Sequence, residues 1–351
     1  MLPNQREVNK TPKHILVIRL SAMGDVAMSV PVLRALTQQH PSVKITVLSR
    51  GFFKPIFNGI PNVNFYAADV KNKHKGVLGL YRLYKELKAL QIDAIADIHN
   101  VLRSKILCTF FSFSGIKKAV IDKGRAEKKA LTRTHNKVFK QLKTTHKRYA
   151  DVFRKLGFSI DLTKVQLSGK TDLLPNVQQI VPQNHLKWIG VAPFAQHQPK
   201  MYPLDMMEQV ILQLAESGLY TIFLFGGGPN ETRQLKEIAS MYTNTINVSG
   251  MLSFQEEINL ISNLDLMISM DSANGHLAAM QQVKTLTLWG ATHPFAGFAP
   301  YNQPVENQLI PDLKKYPNLP CSIYGNKTCE GYEDAMQSIP VEEVVLKVKS
   351  P

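Results

Sequence analysis

The sequence predicts an α/β protein in two halves, each a parallel sheet covered by helices. Three observations carry this. Apolar runs of strand length alternate with stretches of helical periodicity, an aperiodic segment with two prolines interrupts the alternation, and the same alternation then restarts. At 351 residues, with 44% hydrophobic and 20% charged residues, the chain has the length and balance of two globular domains.

The first half is expected over residues 1–175. Residues 1–12 are polar and read as a tail. "HILVIRL" (14–20) is the first strand, and "SAMGD" turns it into a helix from Asp25 to about Gln39. "KITVLS" (44–49) and "NVNFYAAD" (62–69) are further strands. Leucines at 78, 80, 83, 87 and 90 approach helical spacing, and "IDAIADI" (92–98) is a short buried strand. Periodicity then fades between Leu167 and Leu186, around Pro175 and Pro182, and the linker belongs there.

The second half is expected over 186–335. "WIGVAPF" is a strand. Pro203 opens a helix that runs to about Ser217, with Gly218 just past its end. "YTIFLF" leads through "GGGPNE" into a helix from about Glu231, and "INVSG" (246–250) is a short strand. Ser253 and Glu256 have capping-box spacing for a helix to about Asn263. "LDLMISMD", "SANGHLAAM" and "VKTLTLWG" then read as strand, helix and strand.

The formal net charge of +15 is unevenly placed: residues 117–155 hold 14 Lys and Arg against 3 Asp and Glu. Such a run is a solvated helix face, or it meets a polyanion or an anionic membrane. Its sparse aromatics (Phe139, Tyr149, Phe153) give little support to base stacking, so no nucleic-acid partner is expected. No apolar run reaches the roughly 18–20 residues of a membrane span, and a cytoplasmic protein is expected. Three cysteines are too few for a disulfide framework. Cys321 and Cys329 match no familiar zinc spacing, so reduced thiols are expected.

Four loops fall at strand carboxyl ends, where open parallel sheets bind ligands. In "SAMGD", Gly24 permits close approach, while Asp25 either complements a helix dipole or does chemistry. In "PFAQHQPKMYP" (193–203), Lys200 can neutralise a phosphate or simply be solvated. In "FGGGPNE", Gly227 and its neighbours leave backbone N–H groups uncovered, and Glu231 can accept from ribose hydroxyls or complement its helix. In "SMDSANGHLAAM", Asp271, Ser272 and His276 line a small-residue turn into a helix; His276 reads equally as a buried structural side chain. The address shared by these loops is a stronger signal than any one of them.

"ILVIRLSAMGDVAMSVPVLRAL", "DIHNVLRS", Lys200-Met201-Tyr202-Pro203, "GGGPNE", "MDSANGHLAA" and "LWGATHP" occur in order over about residues 14–300, and "PCSIYG…C…AM" follows. Together they resemble glycosyltransferase family 9, the lipopolysaccharide heptosyltransferase family. The resemblance implies a GT-B fold: two Rossmann-like domains with parallel sheets facing across a cleft, and a final helix (336–351) returning to the first domain. It implies an inverting enzyme without a metal cofactor that moves heptose from an ADP-sugar to the Kdo–lipid A inner core. The cationic stretch 117–155 would then dock on the cytoplasmic face of the inner membrane.

Carried over residue by residue, Asp25 matches the catalytic base. Lys200 matches the lysine on the donor diphosphate, Glu231 the acid on the ribose, and Met251 a residue near the adenine. Asp271, Ser272 and His276 match the loop around donor sugar and phosphates, with Gly227 on the donor side. Gly24, His99, Arg103 and Arg125 fall on the acceptor side. Ala195-Gln196, Asn274 and "GATHP" depart from the family pattern and loosen the inference about the donor sugar. A transferase or epimerase for another nucleotide sugar is the alternative. A nicotinamide-dependent oxidoreductase is disfavoured, because no turn reads GxGxxG with a ribose-binding acid about 20 residues later.

Overall fold

The computed structural model describes residues 11–112 and 114–350, so most of the polar tail lies outside the described residues. The chain divides into two compact units. Unit 1 is the described part of Met1–Lys123 with His146–Gln166; unit 2 is Gly124–Thr145 with Leu167–Pro351.

In unit 1 the order is β1 (His14–Ile18), α1 (Met23–Ala27), α2 (Ser29–Gln39), β2 (Lys44–Ser49), β3 (Val63–Ala67), α3 (Gly76–Lys88), β4 (Ala94–Asp97), α4 (Leu102–Ser112) and β5 (Lys117–Val120). The strands form one parallel sheet in the order β3-β2-β1-β4-β5. The middle strand, β1, is buried at every residue, which is why "HILVI" is continuously apolar. The single helix expected from Asp25 is two. Pro31 has no N–H to offer the carbonyl of Ala27 and its ring crowds that turn, so the helix breaks at Met28.

The basic stretch carries α5 (Arg125–Thr132) and α6 (Thr145–Lys155). It does not stay in the first domain as expected: residues 124–145 belong to unit 2. Leu131 and Leu142 cluster with Ala296, the Leu142 N–H donates to the Phe295 carbonyl at 2.9 Å, and the Lys128 ammonium lies 4.0 Å from the Phe298 ring centroid.

Unit 2 continues with α7 (Pro175–Ile180), β6 (Lys187–Ala192), α8 (Leu204–Glu216), β7 (Tyr220–Leu224), α9 (Pro229–Ala239), β8 (Thr245–Asn247), α10 (Phe254–Asn263), β9 (Leu266–Met270), α11 (Ala273–Ala279), β10 (Lys284–Leu288), β11 (Gln308–Leu309) and α12 (Val341–Lys349). Its parallel sheet runs β11-β10-β9-β6-β7-β8. Ser253 and Glu256 form the expected capping box, with both reciprocal bonds made.

Three expectations change here. The segment read as a linker belongs to unit 2 and contains α7; Asn259 of α10 accepts from the Leu174 N–H at 2.9 Å and donates to the Asp172 carbonyl. The last helix, α12, buries Val341, Val344, Val345 and Val348 in unit 2's own core beside α8, so its apolar face is used there and not in the first domain. Cys321 and Cys329 are joined in a disulfide, with Cα atoms 5.8 Å apart. The chain reverses at Gly325, whose φ of +71° suits a residue without a side chain, and that reversal brings the two cysteines together.

Candidate functional site

In unit 1, Gly24 and Asp25 form the first turn of α1, at the carboxyl end of β1. The Asp25 carboxylate makes an ion pair with the Arg19 guanidinium. Arg19 is itself buried and donates to the Ile98 carbonyl at 2.9 Å, so a cation anchored at the end of the central strand fixes the carboxylate from behind. The Tyr149 hydroxyl donates to the Asp25 backbone carbonyl at 3.2 Å. With 29% of its side chain exposed, Asp25 still presents a face to solvent.

His99 adjoins this group. Its Nδ1 accepts from the Leu20 N–H at 3.3 Å, which puts the proton of the neutral ring on Nε2. Burial, then the charges of Arg19 and Lys123, lower its pKa to about 3, so near neutrality it is an uncharged hydrogen-bonding group. Arg103, exposed on α4, adds to the same lowering. The loop between them is held by the buried Asp97, which accepts from the N–H groups of His99 (2.9 Å) and Asn100 (2.8 Å) and from the Ser104 hydroxyl (2.8 Å). Arg125 opens α5, in unit 2. Sequence reasoning missed Arg19 and Asp97. The available signal was a charge at the end of each apolar strand, "HILVIR" and "IDAIAD".

In unit 2, Lys200 and Asp271 meet. Lys200 Nζ lies 2.9 Å from Asp271 Oδ2, with side-chain exposures of 15% and 8%. Lys200 ends a 3₁₀ turn (Gln198–Lys200) that follows β6, and Asp271 follows β9. These strands are neighbours in the sheet, so two residues 71 positions apart in sequence come together. The Ala291 N–H donates to the Pro199 carbonyl at 2.8 Å, strapping the Lys200 loop to the end of β10. The disulfide-closed turn packs on the same lysine: a Cβ at Gly325 would collide with the Lys200 methylenes.

Around this pair are polar groups with nothing to bond. The hydroxyls of Ser272 and Thr292 are buried and have no hydrogen-bond partner among the described residues. Thr292 shares the neighbourhood of Gly325 with Lys200. Buried hydroxyls without partners cost free energy unless a ligand takes them. Thr292, within "GATHP", is a candidate that sequence reasoning passed over. His276 is buried on α11.

The glycine turn after β7 differs from expectation in one respect. Glu231 folds back and accepts from the Gly227 N–H at 2.8 Å, so that amide is not uncovered. A Cβ at Gly226 would meet Leu235 Cδ1 at 2.7 Å, so close packing under α9 explains that glycine. Met251 is exposed in the turn before α10. Among the described residues, no group of three or more His, Cys, Asp or Glu could hold a metal ion, and no helix is long and apolar enough to cross a membrane.

The chain is similar to the lipopolysaccharide core heptosyltransferase OpsX of Haemophilus influenzae, with 24% identity over 84% of this chain and 83% of that protein. In fold it resembles E. coli ADP-heptose lps heptosyltransferase II (TM-score 0.68, 18% identity, 96% and 97% of the two chains). It also resembles E. coli heptosyltransferase WaaC with ADP (TM-score 0.66, 19% identity, 96% and 99%). Two parallel-sheet units and these neighbours establish a GT-B fold. The model of glycosyltransferase family 9 (heptosyltransferase) matches residues 80–324, which is most of the chain. The protein belongs to that family and is a glycosyltransferase.

Proposed function

We propose that this protein transfers a heptose from an ADP-sugar to the Kdo–lipid A inner core of lipopolysaccharide, with inversion and without a metal cofactor. The observation that carries the reading is the buried Lys200–Asp271 pair, flanked by the unpartnered hydroxyls of Ser272 and Thr292. A cation and free donors at strand carboxyl ends suit a diphosphate. Two of the proteins named above are lipopolysaccharide heptosyltransferases, and the third is a heptosyltransferase seen with ADP.

In this mechanism Asp25 takes the proton of an acceptor hydroxyl as that oxygen attacks the anomeric carbon from the side opposite the diphosphate. The bond from that carbon to the diphosphate oxygen breaks, and the electron pair leaves with ADP. Lys200 and the two hydroxyls then meet the added negative charge. Arg19 keeps the Asp25 carboxylate in one orientation through the reaction. Glu231 and Met251 serve the nucleoside, Asp271 and His276 the donor sugar, and Gly24, His99 and Arg103 the acceptor. The residues of 117–155 favour an anionic membrane at its cytoplasmic face, each exposed cation contributing about 1 kcal/mol.

The test is turnover. Purified protein is given ADP-heptose and Kdo–lipid A, with UDP- and GDP-sugars as controls, and Asp25→Asn is run beside it. The expected result is transfer from the ADP-sugar alone, lowered about 10²–10⁴-fold in the variant with donor binding unchanged. Near-normal turnover by Asp25→Asn refutes the assignment of the base, and preference for another nucleotide sugar refutes the assignment of the donor.

A further inference from the structure

Unit 2 carries a covalent tie that the reaction proposed above does not use. The Cys321–Cys329 disulfide closes the segment 321–329, and that segment lies on Lys200. Its first end is fastened by hydrogen bonds: the N–H groups of Cys321 (3.2 Å) and Ser322 (3.1 Å) donate to the Ala291 carbonyl. The Ala291 N–H in turn donates to the Pro199 carbonyl at 2.8 Å, so one residue joins the disulfide loop to the Lys200 turn. In mid-loop Gly325 is buried, where a Cβ would meet the Lys200 methylenes and come within 3.4 Å of Thr292 Cγ2. The loop therefore restricts the rotamers of a long side chain and helps to hold its ammonium at Asp271.

The second end depends more on the disulfide. Asn326, Lys327 and Thr328 are exposed, and Cys329 packs with Tyr316, Leu319 and Ala335 in a small cluster beside the main core of unit 2, to which neither cysteine contributes. The two cysteines are only eight positions apart, and so short a loop constrains the unfolded chain less than a long one would. Opening the bond therefore loosens this loop and leaves the sheet core in place. A reagent can reach it, because Cys321 is half-buried and the run 326–328 faces solvent. The third cysteine does not compete: Cys108 lies buried in unit 1, and burial pushes its thiol up to about 12.

We propose that Cys321 and Cys329 are a reversible thiol–disulfide site, opened by a dithiol reductant and closed by a disulfide oxidant, whose state sets the order of the Lys200 turn. That this order governs nucleotide binding rests on the function proposed above; that the disulfide sets it does not. In reduction a thiolate of the dithiol attacks the Cys321 sulfur, the bond between the cysteines breaks, and Cys329 leaves as a thiolate that takes up a proton. The second thiol of the reductant loses its proton, attacks the mixed disulfide and displaces Cys321, which is protonated in turn. The two electrons and two protons that the chain gains are those the dithiol loses in becoming a disulfide.

The experiment compares the full chain as the disulfide, after dithiothreitol, and after reoxidation with glutathione disulfide, with free thiols counted by maleimide labelling without denaturant. Hydrogen exchange read by mass spectrometry follows the amides of Lys200, Met201, Ala291, Cys321 and Ser322, and calorimetric titration follows ADP. Reduction should uncover two thiols, speed exchange at these amides and weaken ADP about threefold to tenfold, the ordering cost of one long side chain. Reoxidation should restore all three. Cys321→Ser combined with Cys329→Ser should match the reduced chain and ignore dithiothreitol; if that variant does not fold, the reduced parent decides alone. A disulfide that dithiothreitol leaves closed in the folded chain, exchange identical in both states, or a change that reoxidation does not reverse overturns the proposal. If exchange quickens while ADP affinity holds, Lys200→Met decides. Weaker ADP binding in that variant overturns the proposal, whereas binding equal to the parent's sinks the proposed function and leaves the switch standing.

Discussion

Replacing Lys200 by methionine removes one half of a buried ion pair and leaves the other half behind. The charges are 2.9 Å apart, with 15% and 8% of the two side chains exposed. With an effective dielectric constant of roughly 20, their attraction is about 6 kcal/mol before the cost of taking both out of water. That cost has already been met when the lysine is deleted, so Asp271 remains buried and uncompensated. Orphaning one partner of such a pair costs about 3–5 kcal/mol, and the lower end applies because Lys200 keeps some contact with water. Asp271→Asn added to Lys200→Met should return about 1–3 kcal/mol, the coupling typical of contacting groups. Urea unfolding followed by tryptophan fluorescence measures this, and calorimetric titration with ADP measures the other consequence. Lys200→Met should bind ADP about 10–100-fold more weakly, whereas Asp271→Asn should not weaken ADP, because it releases the lysine. A Lys200→Met protein as stable as the parent, with ADP affinity unchanged, would refute both the energetics and the diphosphate assignment.

Glu257, in the first turn of α10, is raised by burial from 4.5 to about 7. Between those values the unfolded chain loses a proton that the folded chain keeps, so stability falls as pH rises through the window and stays low above it. Glu257→Gln should therefore raise stability at pH 8 by on the order of 2 kcal/mol, read as a higher Tm, and have little effect at pH 4; equal shifts at both would show that burial is not the cause. Gly290→Ala should destabilise by about 1–3 kcal/mol and weaken ADP, since a Cβ there collides with the Pro199 carbonyl beside Lys200 and comes within 2.8 Å of Met336 Sδ; an unchanged melting curve contradicts this. Transfer activity should survive exhaustive treatment with EDTA and with an iron chelator, and loss restored by one added metal would overturn the metal-free reading.

What the sequence made legible followed from local physics. Buried parallel strands must be continuously apolar, so "HILVI", "YTIFL" and "LMISM" announced themselves, and the loops at their carboxyl ends could be picked out as site candidates. The Lys200–Asp271 contact was hidden because it depends on β6 and β9 being neighbours, a matter of strand order and not of spacing. The break at Met28 was readable in principle from Pro31 but was outweighed by apolar periodicity on both sides. The unit boundaries were misplaced for a different reason. Prolines at 175 and 182 mark a change of direction, which a packed segment needs as much as a linker does, and it takes the bonds from Asn259 and Asn176 and the burial of Val177 to show that this one is packed.

The basic stretch shows how far a charge count can be taken. Its 14 Lys and Arg looked like one cationic face, yet they divide between two units and do different work. Lys128 and Arg148 are buried, and Lys137 donates to the carbonyls of Asn318 (2.5 Å) and Pro320 (2.9 Å); burial lowers its pKa to about 8. Lys128 and Lys137 hold the 124–145 segment to the body of unit 2, Arg148 donates to the Asp122 carbonyl within unit 1 at 3.3 Å, and none of the three is available to a membrane. The exposed members, Lys117, Lys118, Arg125, Lys129, Arg133, Lys140, Lys143, Lys147, Arg154 and Lys155, are the ones that can contribute electrostatically. Exchanging Lys129, Arg133, Lys140 and Lys143 for glutamine should therefore reduce salt-sensitive binding to anionic vesicles without lowering the melting temperature. Lys137→Gln should do the reverse. If the four exposed replacements leave vesicle binding intact, the cationic stretch is a solvated surface, and the contact with lipid must be sought elsewhere on the protein.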